Sequence, residues 1–157
     1  MRISQYAYFA VRSARMPADE IAARLGVEPD ETVVRGTRDA RPPRPVRHVW
    51  RVVCREPHLT VDEQIARIVD RLFAHAERIG DLVEELDRAD GGIRAGTLQV
   101  VRVFEGPDGE EESGRPVHGL ERLAGQHQLL GWHLDARTLE FLRLARSELD
   151  VDEYAYG

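Results

Sequence analysis

Seven apolar residues between Val61 and Leu86 all fall on one side of a helix, and this leaves few folds open to the chain. Val61, Ile65, Ile68, Leu72, Ile79, Val83 and Leu86 recur at three- and four-residue steps or their multiples, as a one-sided apolar stripe requires. Thr60-Val61-Asp62-Glu63 starts the helix as a capping box: the Thr60 hydroxyl and the Glu63 carboxylate each accept from the other's free backbone donor. Gly80 marks a place to kink or divide it, since glycine there costs about 1 kcal/mol relative to alanine. Asp90-Gly91-Gly92 ends it. So long a stripe needs an apolar sheet or a second helix layer to lie on.

The sheet is supplied by segments that alternate with period two. Gln5 to Val11 puts Tyr6, Tyr8 and Ala10 on one face and Ala7, Phe9 and Val11 on the other. Val46 to Cys54 places His48, Trp50, Val52 and Cys54 together, and Leu98 to Phe104 is a further strand. Val27 to Val34, broken by Pro29, reads as an edge strand. A short helix runs from Pro17, with Asp19 and Glu20 in its first turn and Gly26 as its left-handed stop. Ile21 and Leu25 form its inward edge.

Near the carboxyl terminus, Gln126 to Trp132 is read as a strand. Asp135 caps a helix, with Leu134 and Leu139 spaced as a hydrophobic staple and Leu139, Leu142 and Ala145 as the buried edge. The last strand turns Leu149 and Val151 inward and Asp150, Asp152 and Tyr154 outward. The prediction is an α+β fold: a ferredoxin-like β-α-β-β-α-β start extended by a further β-α-β, in a mostly antiparallel sheet with helices mainly on one face. Its 157 residues suit a single domain, 1–157, with an Arg/Pro-rich loop near 35–46 and an acidic loop near 105–116.

Apolar residues at 42% and charged residues at 32% describe a chain able to bury a core in water. No apolar run nears the roughly 20 residues of a membrane span and no leader pattern opens the chain, so a cytoplasmic, membrane-free protein is expected. Cys54, the one cysteine, excludes an internal disulfide and a cysteine-rich zinc site. His48, Cys54 and His58 match no zinc spacing, and neither a metal nor another cofactor is expected.

All 22 basic residues are arginine. Arg35, Arg38, Arg41, Arg44 and Arg47 recur every third residue around Pro42, Pro43 and Pro45, the period of a polyproline II segment. From Arg35 to Arg55, seven arginines against Asp39 give +6, so the remainder carries −12 toward the net −6. Forked guanidinium groups in a row suit phosphate or an acidic protein surface. The segment equally suits packing against the chain's own acidic loop or plain solvation. With no aromatic residue among these arginines before Trp50, nucleic acid is the weaker partner class.

Tyr6-Ala7-Tyr8-Phe9-Ala10-Val11, Leu25-Gly26-Val27-Glu28-Pro29, the strand with Trp50 and the closing Leu149-Asp150-Val151-Asp152-Glu153-Tyr154 resemble the bacterial domain of unknown function 4279 family. The chain departs from that pattern in Glu153, where an aliphatic residue is usual, which bears on the pairing of the last strand. The resemblance implies no activity, cofactor or catalytic residue. No nucleophile–base pair is nominated, so the expectation leans away from an enzyme. The leading function is a non-catalytic binding or interaction module, immunity-protein-like or regulatory, with an acidic protein or a second copy as partner. Arg35, Arg38, Arg41, Arg44, Arg47, Trp50 and His133 are its candidate binding residues. A ligand-binding protein or enzyme with a pocket near Tyr8, Trp50 and His133 is the alternative. A nucleic-acid binder through the arginine segment comes third.

Overall fold

A computed structural model describes residues 2–37, 45–92, 94–105 and 131–156. Among these residues five strands form one sheet: β1 (Arg2–Ser13), β2 (Glu31–Val33), β3 (His48–Cys54), β4 (Gly96–Glu105) and β5 (Glu148–Tyr156). Their order is β2-β3-β1-β4-β5, antiparallel at each junction except β4–β5, which is parallel. The α-helices are α1 (Ala18–Leu25), α2 (Val61–Leu72), α3 (Ala76–Ala89) and α4 (Ala136–Leu144), with a 3-10 turn at Phe73–His75. The mixed α+β class and the mostly antiparallel sheet agree with the sequence reading.

β1 is the central strand, and its alternation sorts the molecule into two faces. Ala7, Phe9 and Val11 are fully buried in the main core, together with Trp50, Val52, Leu98 and Val100 and the apolar edges of all four helices. Tyr8, Ala10, Val49 and Val101 form a separate small cluster to which, among the described residues, no helix residue belongs. The helices therefore lie on one face of the sheet.

The predicted stripe is buried at every position from Val61 to Leu86, and the Thr60–Glu63 capping box is present. The break in the long helix falls at Phe73–His75 rather than at Gly80. Gly80 has a different task. A Cβ there would collide with the Leu144 carbonyl, so glycine lets the end of α4 rest on the backbone of α3. α4 closes with a Schellman pair, Ser147 N–H to Leu142 O at 3.1 Å and Arg146 N–H to Arg143 O at 3.3 Å. Arg146 holds the left-handed position (φ 50°) usually given to glycine, and its guanidinium reaches Asp81 and Glu84 of α3.

Three expectations for the carboxyl-terminal unit change. Asp135 does cap α4, accepting from Thr138 N–H at 2.7 Å. The buried edge, however, is Thr138, Phe141 and Ala145, while Leu139 is 53% exposed and forms no staple. Phe141 sets this rotation by meeting the Phe9 ring edge-on at 5.3 Å, a geometry worth about 0.5–1.5 kcal/mol beyond burial. Residues 131–135 form no strand, and 126–130 lie outside the described residues. Val151 is 38% exposed at the sheet edge instead of buried. Glu153 is explained by its neighbour: it lies opposite Arg102 and pairs with that buried guanidinium at 2.7 Å.

Gly80→Ala should lower the melting temperature. A helix-interior alanine gains about 1 kcal/mol, but overpacking against an immovable carbonyl costs about 1–3 kcal/mol. Urea unfolding would measure it, and an unchanged or raised midpoint would contradict the close approach.

Candidate binding face

The face of the sheet opposite the described helices gathers residues that the chain scatters over its whole length. Strand registers put Tyr6, Tyr8, Ala10 and Arg12 of β1 on this face with Val49, Arg51 and Val53 of β3 and with Glu31 and Val33 of β2. On the other side they add Thr97, Gln99, Val101 and Val103 of β4, then Glu148, Asp150, Asp152, Tyr154 and Tyr156 of β5. All four tyrosines of the protein are therefore on this face. Trp50, Trp132, Phe9, Phe73 and Phe141 instead pack into the core beneath the helices. Tyr154 and Tyr156 are exposed there and Tyr8 is buried, a range that suits tyrosine because its ring can pack while its hydroxyl keeps a polar partner.

Arginines lie over two of these rings. The Tyr6 and Tyr8 rings stack at 6.1 Å between centroids. Arg55 Cζ sits 4.1 Å over Tyr6, and Arg51 Cζ 4.7 Å over Tyr8. Glu31, on the neighbouring edge strand, reaches Arg55 at 3.0 Å and Arg51 at 3.6 Å. Burial opposes the charge of Arg55, but Glu31 and Tyr6 outweigh it and raise its affinity for its proton. Burial lowers that affinity in Arg12; the Tyr8 hydroxyl partly offsets this, and the nearby Arg51 adds to the fall. Arg51 Nε is buried without a hydrogen-bond partner among the described residues.

The β5 side has the opposite sign. Gln99 Nε2 donates to Asp152 Oδ2 at 3.1 Å, and Glu148 lies 3.4 Å from Arg94. Asp150 and Asp152 have no arginine within 4.0 Å among the described residues. The negative charge of Asp152, followed by burial, pushes the Tyr154 phenol above its ordinary value.

The residues nominated from sequence are not gathered in one place. Tyr8 is on this face, whereas Trp50 is fully buried on the opposite side, its indole N–H donating to Val27 O at 3.1 Å. Adjacent parity on paired strands separates them. His133 is exposed beside the start of α2, where its backbone N–H donates to Asp62 at 2.7 Å and its Nδ1 lies 3.2 Å from the same carboxylate. Arg35 donates from its guanidinium to Ala14 O at 2.7 Å and from its backbone to His48 Nδ1 at 3.2 Å. Arg47 is half-buried next to His48, and Arg38, Arg41 and Arg44 lie outside the described residues, as does the acidic loop after Glu105. Among the described residues no three histidine, cysteine or acidic groups converge to hold a metal ion, and no helix is long and apolar enough to cross a membrane.

Two shallow clefts, about 250 and 440 Å3, lie between the end of α4 and its neighbours and are bordered by Arg143 and Arg146. The first lies clear of the tyrosine face, and the second reaches its margin at Glu148. The sequence reading missed Arg12, Arg51 and Arg55 as a set. Their signal was available in the tyrosines at 6 and 8 and again at 154 and 156, each spaced by two.

The sequence pattern of the family described as Domain of unknown function (DUF4279) matches residues 3–156. The chain belongs to that family. No curated protein and no solved structure matches it. The match spans β1 through β5, so every strand that forms the tyrosine face falls within the family's own domain.

Asp152→Asn should bring the Tyr154 phenol down toward the ordinary value of about 10. The substitution removes the first cause of the upward shift while an amide oxygen can still accept from Gln99. An NMR titration of labelled tyrosines would resolve it, and an unmoved Tyr154 midpoint would contradict the proximity.

Proposed function

We propose that this DUF4279 protein is a cytoplasmic, non-catalytic interaction module whose working surface is the face of the sheet opposite the described helices. The observation that carries the reading is the segregation of all four tyrosines, with Arg12, Arg51 and Arg55 among them, onto the face of the sheet opposite the described helices. Tyrosine and arginine supply a disproportionate share of binding energy at the centres of protein interfaces. A rigid sheet also presents them at little entropic cost, since Tyr6 and Tyr8 are already stacked and two arginines already lie over them.

The finer reading of the fold belongs to the same proposal. Residues 2–105 are a ferredoxin-like unit, extended by α4 and β5. The order β2-β3-β1-β4, antiparallel at each junction, supports it. Arg35 and Arg47, which lie beside Ala14 and His48, extend the positive end of the face.

Extract from the source cell, passed over three immobilised forms, tests the reading. Wild type and the helix-side control Arg88→Ala should retain the same macromolecule, and Tyr6→Ser/Arg55→Ala should lose it while keeping a cooperative melt. A wild-type protein that holds nothing, or a face variant that holds the same macromolecule, overturns the proposal.

A further inference from the structure

The last strand differs from the three that carry the core. β1, β3 and β4 are each flanked by strands on both sides, whereas β5 has β4 on one side and no further strand on the other among the described residues. Seven of its nine residues are exposed, on both faces of the sheet. Alternate residues of such a strand turn their backbone N–H and C=O away from its neighbour. Along an accessible edge these are the groups that an added strand pairs with.

The side chains beside that edge specify the newcomer. Asp150, Asp152, Tyr154 and Tyr156 lie on one face, and Leu149, Val151, Glu153 and Ala155 on the other. Glu148 and Glu153 already have cations, Arg94 at 3.4 Å and Arg102 at 2.7 Å. Asp150 and Asp152 have no arginine within 4.0 Å among the described residues. Beyond them Tyr154 is 45% and Tyr156 61% exposed. A cation can rest over such rings, as Arg51 and Arg55 rest over Tyr8 and Tyr6 within the chain. The opposite face offers half-buried Leu149 with exposed Val151 and Ala155, apolar surface that an aliphatic side chain would cover.

We propose that β5 is a docking edge for a strand of another protein whose residues alternate basic and aliphatic. The proposal goes beyond the functional reading above: it adds a contact surface at the acidic margin of the sheet and does not use the arginines of β1 and β3. Residues directly opposite on neighbouring strands have Cβ atoms about 4.5–5.5 Å apart. Basic side chains at every second position of the partner therefore meet Asp150, Asp152 and the two tyrosine rings in turn, and the aliphatic ones between them lie beside Leu149 and Val151. Backbone hydrogen bonds supply affinity whatever the sequence, and the alternation supplies the choice. Nucleic acid is the poorer occupant, because its phosphates would meet Glu148, Asp150, Asp152 and Glu153.

The test titrates the full chain at low salt with a short capped peptide that alternates arginine with valine. Anisotropy of a labelled peptide reads affinity, and amide hydrogen exchange reads where it binds. The peptide should bind, and alternate amides of β5 should exchange about tenfold more slowly in its presence. A peptide alternating glutamate with valine should not bind. Asp150→Asn/Asp152→Asn should weaken the arginine peptide roughly tenfold, since two cross-strand charge pairs are lost. Tyr6→Ser/Arg55→Ala should bind it as the wild type does, so failure of the docking edge and failure of the face reading are separable. The proposal is overturned if the arginine peptide does not bind, if the glutamate peptide binds equally, or if the double asparagine variant keeps full affinity. Binding that leaves the β5 amides unprotected, or that Tyr6→Ser/Arg55→Ala abolishes, overturns it as well.

Discussion

Everything in this fold depends on β1 having two faces with different neighbours. Its odd-numbered residues are sealed under helices, and its even-numbered residues join a second, smaller cluster with tyrosine and arginine around it. Because side chains alternate strictly along a strand, a shift of one residue would drive Tyr6 and Tyr8 under the helices and Phe9 into water. The register to β3 and β4 is therefore held by the core from one side and by stacked rings from the other. Fold and proposed binding surface are set by the same pairing.

The helix layer shows how such a one-sided arrangement is kept tight. α4 would stand off the core if α3 carried a side chain at position 80, and α3 gives way there. Arg146 then accepts a left-handed backbone that glycine would adopt more easily, and in return anchors the end of α4 to Asp81 and Glu84. Phe141 reaches Phe9 because of that placement. A backbone-to-backbone contact at one end of α4 thus supports an aromatic contact in the middle of the core.

Local features were legible in the sequence where the chemistry is local. The Thr60–Glu63 box, the Asp135 cap, the Gly26 stop and the alternation of β1 and β3 each need only residues a few positions apart. Features made by distant contacts were not. The rotation of α4 comes from Phe9, so the spacing of Leu139 misled, while Leu142 and Ala145 do pack against the core. The break at Phe73–His75 has no glycine or proline to announce it, and Gly80 drew attention for a packing role that only Leu144 reveals. Glu153 looked like a departure from pattern until Arg102 stood opposite it. Trp50 and Tyr8 looked like partners, yet their paired strands point them to opposite sides of the sheet.

The two ends of the sheet are unequal. β2 offers only three residues to any newcomer, too few to template a neighbouring strand. β5 offers nine, with no further strand beside it among the described residues, a length that invites another chain to add on. That edge carries Glu148, Asp150, Asp152 and Glu153 in a span of six residues. An identical strand approaching side by side would bring the same four carboxylates within a strand spacing of their counterparts. The acidic edge thus works as a guard against runaway sheet growth, and it lets a long, exposed final strand exist without seeding fibrils.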